Sequence, residues 1–84
     1  MIEFEFDKEE NEVRILFNTK IYPFYAILLA ARDFIPDFWI FIDGDVKSEV
    51  LVCIKPKEEI KITKPKKLVY EFVNYVIASV KELI

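Results

Sequence analysis

Apolar and polar side chains alternate along two segments near the beginning of the chain. The segment 2–7, IEFEFD, places its apolar residues at even positions and its acidic residues at odd positions. The segment 12–18, EVRILFN, continues the alternation, and the polar stretch KEEN at 8–11 separates the two segments. A period of two is typical of a strand with one buried face. The pattern therefore predicts an antiparallel hairpin that has one charged face.

An uncharged segment follows this hairpin and has the composition of a helix. Between 21 and 31 the chain reads IYPFYAILLAA. Pro23 suits the first turn of a helix, where its missing N–H costs nothing, and the Ala and Leu residues after it are strong helix formers. Pro36 disfavours a helical conformation at Ile35. We expect a helix from about Pro23 to Phe34.

The second half of the chain repeats the order of two strands and a helix. The segment 37–43, DFWIFID, is rich in aromatic and β-branched residues, and DGD at 43–45 predicts a turn. The return strand is SEVLVCIK at 48–55. Apolar residues at helical spacing then predict an amphipathic closing helix. Its apolar face comprises Val69, Phe72, Val73, Val76, Ile77, Val80 and Leu83. Its polar face comprises Glu71, Asn74, Ser79, Lys81 and Glu82.

The order ββαββα predicts a two-layer α+β domain. We expect a four-stranded, mainly antiparallel sheet with both helices packed on one face. With 84 residues, the chain has room for a single domain spanning 1–84. A hydrophobic content of 54%, including 15% aromatic residues, disfavours a disordered chain.

Charge and composition limit the partners and the location of the protein. A net charge of −3 disfavours nucleic acid, which binds basic surfaces. The uncharged segment is shorter than the ~20 residues of a membrane-spanning helix, so we predict no membrane partner. One cysteine and no visible signal peptide favour a reducing, cytoplasmic location. Abundant Ile, Lys and Glu, without Gln or His, favour a thermophilic source.

The second hairpin is expected to be apolar on both of its faces. One face would join the core, and the opposite face carries Trp39, Phe41, Leu51 and Cys53. Strands that are apolar on both faces are usually covered on both, and burial of one large side chain contributes about 1.5–3 kcal/mol. We therefore predict that a second copy, or a peptide or protein partner, covers these four residues. The alternative is that the closing helix or the lysine-rich segment folds over them.

Residue types that commonly carry catalysis are scarce. The chain has no His, and its one glycine, Gly44, cannot form a Gly-rich phosphate loop. Cys53 lies within a predicted strand, which favours a buried structural thiol over a nucleophile. Asp43, Asp45 and Glu49 are of the ligand type for a hard cation, but their position favours a turn. We predict a protein that is not an enzyme and has no cofactor or metal.

A lysine-rich segment at 55–67 is the alternative candidate site. It would suit a small-molecule or anion-binding regulatory domain, although a solvated loop leading into a helix is the commoner meaning of such a pattern. Lysines at the start of a helix oppose its dipole, which adds weight to a binding role. Ile60 and Ile62 also indicate a short extended piece within the segment. The candidate ligand-binding residues are Lys55, Lys57, Lys61, Lys64, Lys66 and Lys67.

A Tyr-Pro pair at 22–23 opens the Ala- and Leu-rich helix, and an aromatic strand and a closing helix follow. The residues that carry this pattern are Tyr22, Pro23, Ala26, Ala30, Ala31, Phe34 and, in EFVNYVIASVKEL, Asn74. From Ile21 onward the chain resembles the His-Xaa-Ser system protein D (HxsD) family. The resemblance implies an accessory role beside radical-SAM enzymes that modify a ribosomally made peptide. It supplies no catalytic residues.

Overall fold

The computed structural model describes residues 2–82, which form four strands and two helices. The elements are β1 (Glu3–Asp7), β2 (Glu12–Asn18), α1 (Phe24–Phe34), β3 (Phe38–Asp45), β4 (Glu49–Pro56) and α2 (Pro65–Glu82). The strands form one antiparallel sheet in the order β1-β2-β4-β3. The predicted α+β class and the order ββαββα are therefore confirmed. β2 and β4 lie at the centre, and β1 and β3 are the edges.

Both helices pack on the same face of the sheet. Even-numbered residues of β4 and odd-numbered residues of β2 point toward the helices, because side chains alternate along a strand. The central pair Ile15↔Val52 is fully buried in this layer. Between the helices, the rings of Phe34 and Phe72 meet edge to face with centroids 5.1 Å apart. The buried apolar cluster comprises Val13, Ile15, Phe17, Ala26, Ile27, Ala30, Ala31, Phe34, Val50, Val52, Ile54, Val69, Phe72, Val73 and Val76.

The first helix has the bounds that its prolines predict. Pro23 is the N-cap residue with φ −55° and ψ 137°, and α1 ends at Phe34. The Ile35 N–H still donates to the Ala31 carbonyl oxygen at 3.0 Å, after which Pro36 prevents a further turn. Within residues 2–82, neither helix is both long enough and apolar enough to cross a membrane.

The turn of the second hairpin lies later than the sequence predicts. Residues 43–45 belong to β3, and the turn occupies 46–48. Asp45 nucleates this turn: its carboxylate accepts the Lys47 N–H at 2.9 Å, and its carbonyl oxygen accepts the Ser48 N–H at 3.0 Å. Gly44 is instead required by the strand, where its φ is +122° and an added Cβ would lie 2.5 Å from the Glu49 carbonyl oxygen.

Two assignments on the closing helix are wrong. Ile77, expected on the apolar face, is 42% exposed, whereas Ser79, expected on the polar face, is 5% exposed. The buried stripe runs from Val76 to Ser79 at a spacing of three, which places position 77 on the outer side. Ser79 is tolerated because its hydroxyl donates to the Tyr75 carbonyl oxygen at 2.8 Å. Leu83 lies outside the described residues.

Candidate interaction surface

The sheet face that carries no helix is divided into a charged half and an apolar half. The strand register aligns one row of side chains across it: Glu5↔Arg14, Arg14↔Cys53 and Cys53↔Phe41. Residues of β1 and of the β2 segment next to it are charged, and residues of β4 and β3 are mostly apolar. The division follows directly from strand order, because it sets the acidic edge strand farthest from the aromatic one.

Arg14 organises the charged half. Its guanidinium donates to carboxylate oxygens of Glu5 at 3.1 Å, Asp7 at 3.0 Å and Glu12 at 2.8 Å. The Glu10 amide and the Arg14 guanidinium donate to the Asp7 carboxylate and hold its pKa below the usual value. The same carboxylates, that of Glu5 first, raise the pKa of Arg14. The charged face expected for the first hairpin is confirmed, and three of its carboxylates are committed to one arginine.

The apolar half brings together the four residues that the sequence predicts for a partner interface, and it adds a fifth. Trp39 is 53% exposed and Phe41 is 60% exposed, although both are large apolar side chains. Leu51 and Cys53 are half-buried beside them. Leu16 on β2 lies opposite Leu51 and extends the surface. We call these residues the open-face patch: Leu16, Trp39, Phe41, Leu51 and Cys53.

Sequence reasoning missed Leu16, although the signal was present. In the alternating pattern of β2, position 16 has the parity of Arg14, which was assigned to the outer face. A leucine at that position is an apolar residue on a face otherwise expected to be charged. The structure shows that it continues the apolar surface of the second hairpin onto the first.

The open-face patch lies on the side of the sheet opposite α1 and α2. α2 therefore does not fold over it, which was one alternative from the sequence. The lysine-rich segment places Lys57 there, with the ammonium nitrogen 4.8 Å from the centroid of the Trp39 ring. A contact of this kind is typically worth about 0.5–1 kcal/mol at an exposed site. Trp39 stays half-exposed with this contact in place.

Cys53 lies between the two halves and is not set up as a nucleophile. Burial raises the pKa of its thiol, and the negative charge of Glu12 raises it further. A thiol with a raised pKa stays protonated and reacts slowly, since the thiolate is the nucleophilic form. The geometry agrees with a structural thiol at the margin of the patch.

The six lysines of the alternative site do not form one cluster. Lys55 pairs with Glu10 at 3.4 Å, Lys57 lies over Trp39, and the ammonium of Lys66 lies 5.7 Å from the Tyr70 ring centroid. Lys57 also borders a groove of about 710 Å³ at the start of α2, together with the other three lysines. The charged residues lining this groove are Asp37, Lys57, Glu58, Lys61, Lys64, Lys67 and Glu71. The groove is thus lined by both signs of charge.

Asn11 fixes the lysine-rich segment to the turn of the first hairpin, which the sequence did not predict. Its side-chain Nδ2 donates to the Ile60 carbonyl oxygen at 2.8 Å, and its Oδ1 accepts the Ile62 N–H at 2.8 Å. The sequence predicts a short extended piece at Ile60 and Ile62, and the structure has no strand there. The Asn11 side-chain amide nevertheless donates one hydrogen bond to this backbone and accepts one from it, as a neighbouring strand would. The backbone of Asn11 has a φ of 54°, which Asn adopts more readily than most residues.

Two acidic residues around the second turn accept hydrogen bonds from backbone N–H groups. The Asp43 carboxylate accepts the Gly44 N–H at 2.9 Å, and Asp45 caps the turn as described above. Among residues 2–82, no group of three His, Cys, Asp or Glu side chains is arranged to hold a metal ion.

Comparison with protein-family models, curated proteins and solved structures finds no match for this chain. The resemblance to the HxsD family therefore stays a prediction that rests on the residues named for it above.

Proposed function

We propose that this protein is a non-enzymatic interaction protein that binds another protein chain through the open-face patch. The observation that supports the proposal is the exposure of Trp39 and Phe41 on a sheet face that neither helix covers. Leu16 and Leu51 make the surface continuous across three strands. An apolar surface of this kind on a small domain is typical of a binding site.

The composition of the patch also supports this role. Trp and Phe are enriched at the centres of protein interfaces, where they supply much of the binding energy, and charged residues are enriched at the rim. Here Arg14 with its carboxylates borders one side of the patch, and Lys57 borders the other. A partner would cover an apolar centre while the flanking charges stay hydrated.

Sedimentation velocity over a wide concentration range tests the proposal. We expect the wild type to associate, either with itself or with an added partner chain, and Trp39→Asp or Phe41→Asp to abolish association while both variants stay folded. Tyr25→Asp is the matched control, because Tyr25 is 57% exposed on α1, on the other side of the molecule. A wild type that stays monomeric, combined with unfolding of both patch variants, would contradict the proposal.

The HxsD resemblance gives the proposal a biological setting. We propose that the chain is cytoplasmic and accessory to a radical-SAM system that modifies a ribosomally made peptide. In that setting the patch would bind the peptide or the modifying enzyme. A gene for a radical-SAM maturase beside the gene for this chain, and binding of its peptide substrate by the wild type but not by Trp39→Asp, would support this setting. Equal binding by both proteins would contradict it.

The groove at the start of α2 favours a second candidate, a regulatory domain that binds a small anion. Four of its lining residues are lysines, and Phe38, Ile62 and Leu68 supply apolar lining. Isothermal titration with inorganic phosphate and with a small dicarboxylate tests this function. We expect saturable binding that charge reversal at Lys61, Lys64 and Lys67 abolishes and that charge reversal at Lys47, outside the groove, preserves. Absence of heat with both probes would contradict it.

A further inference from the structure

The free edge of β3 has a defined set of unpaired backbone groups. The Lys57 N–H donates to the Asp37 carbonyl oxygen at 3.0 Å, so the backbone of position 37 faces β4. Backbone groups point to alternate sides along a strand. The backbone N–H and C=O groups of Trp39 and Phe41 therefore bond to β4, whereas those of the even-numbered positions point away from the sheet at its free edge. The residues whose backbone groups point outward are Phe38, Ile40 and Ile42, and their side chains pack against the core.

The two edges of the sheet differ in how well they are protected against pairing with another strand. β1 has five residues, and Glu3, Glu5 and Asp7 line its outer face. β3 has eight residues and is uncharged from Phe38 to Ile42. Short length and charge are the usual means of blocking an edge strand, and a long apolar edge is open to pairing. β3 is therefore the edge that can accept a strand.

We propose that two copies of this chain join edge to edge through β3, in antiparallel orientation around a two-fold axis at Ile40. This inference goes beyond the proposed function: it concerns the free edge of β3, which borders the open-face patch, and its partner is a second copy of this chain. Under that symmetry Ile40 faces Ile40 of the partner subunit, and Phe38 faces the partner's Ile42. Each of these pairs is a hydrogen-bonded pair, so the outward-pointing backbone groups of Phe38, Ile40 and Ile42 all find partners in both strands. The result is a continuous eight-stranded sheet, two copies of the four-stranded one.

The backbone of Gly44 selects this register over its neighbours. Its φ of +122° departs from an extended strand, so the ladder can use Phe38, Ile40 and Ile42 but not position 44. A two-fold axis at Phe41 would instead set Phe38 opposite the partner's Gly44. The axis at Ile40 is the one that pairs the three regular positions with one another.

The side chains match in this register. On the open face, Trp39 lies opposite the partner's Phe41 in a non-hydrogen-bonded pair, where the Cα atoms approach to about 4.5 Å. Aromatic pairs in such positions stabilise sheets. The two open-face patches then adjoin, and the sides of Trp39 and Phe41 that face the free edge are covered by the partner's aromatic rings, while the faces of these rings remain exposed.

The register sets Asp37 opposite the partner's Asp43 at both ends of the shared ladder, and like charges in that position oppose pairing. The apolar residues between these two ends therefore supply the stabilisation of the dimer.

Amide hydrogen exchange, followed residue by residue at rising protein concentration, tests the register. We expect the Ile40 and Ile42 amides to become protected as sedimentation shows dimers forming. The Trp39 and Phe41 amides, bonded within the chain, are the internal control and stay protected throughout. Association without protection of Ile40 and Ile42 overturns the edge arrangement and leaves the proposed function standing. A monomer at every concentration overturns the edge dimer, whereas the proposed function is overturned only if the patch variants also fail to fold.

Discussion

The side chain of Asn11 offers a direct test of how the lysine-rich segment is held. It makes two hydrogen bonds to the backbone at Ile60 and Ile62, and its own backbone is in the left-handed region. Asn11→Gly removes both hydrogen bonds but fits the backbone without strain. Asn11→Ala removes the same hydrogen bonds and adds the cost of a Cβ in the left-handed region. The two variants therefore separate the side-chain contribution from the backbone contribution.

The expected magnitudes follow from these contacts. A net hydrogen bond contributes about 0.5–1.5 kcal/mol, so Asn11→Gly is expected to lower the free energy of unfolding by about 1–3 kcal/mol. Asn11→Ala is expected to cost about 1–2 kcal/mol more, the penalty for a left-handed residue with a Cβ. In a domain of this size, each kcal/mol lowers the melting temperature by roughly 4–8 °C.

Urea unfolding measures both variants, and amide exchange at Ile62 localises the effect. The Ile62 N–H should lose protection in Asn11→Gly, because the side-chain Oδ1 of Asn11 is its acceptor. Asn74→Ala, on the exposed side of α2, is the control and should alter neither quantity. Wild-type stability in Asn11→Gly, together with an Ile62 amide that stays protected, would refute the reasoning.

Three further predictions concern Gly44, Asp7 and Cys53. Gly44→Ala should lower the free energy of unfolding by about 1–3 kcal/mol, because its backbone conformation is one that only glycine adopts readily. Val46→Ala in the adjacent turn is the control. Equal stability of the two variants would contradict the strain argument. Because the pKa of Asp7 is lowered by folding, its contribution is present above the ordinary value of 3.8 and is lost as the pH falls through the lowered pKa. Asp7→Asn should therefore be less stable than the wild type at neutral pH and approach it in acid, as urea titrations at several pH values would show; a constant difference would exclude this linkage. Burial raises the pKa of the Cys53 thiol. At mildly alkaline pH this thiol should therefore react with a disulfide reagent more slowly than the thiol of an unfolded peptide of the same sequence. An equal or faster rate would contradict the assignment of Cys53 as a structural thiol.

The regular elements could be predicted because their signals are local. Period two in the first hairpin, the proline boundaries of α1 and the helical spacing of α2 each depend on a few neighbouring residues. The second turn was misplaced because DGD is a strong local turn signal. The turn lies at 46–48, three residues later along the chain, where the Asp45 carboxylate accepts the Lys47 N–H, and the close approach of the Glu49 carbonyl oxygen explains why position 44 must be glycine.

The candidate surface was predictable only in part. Trp39 and Phe41 follow from the parity of β3, and Leu16 would have followed from the parity of β2. The tether from Asn11 to Ile60 and Ile62 joins segments far apart in sequence, and nothing local to an asparagine in a turn indicates its partner. The lysines were grouped because they are close in sequence, whereas the structure directs Lys55, Lys57 and Lys66 to three different partners.

The position of β2 and β4 at the centre of the sheet has a consequence for how the protein folds. Each hairpin closes over a short loop, but the central pair joins strands as distant as Val13 and Ile54. Closing that long loop carries the larger entropic cost, so we expect the meeting of two preformed hairpins to be the rate-limiting event. Val52→Ala, in the central pair, should then slow folding, whereas Val73→Ala, on α2 outside both hairpins, should mainly speed unfolding, and chevron plots would show which rate changes.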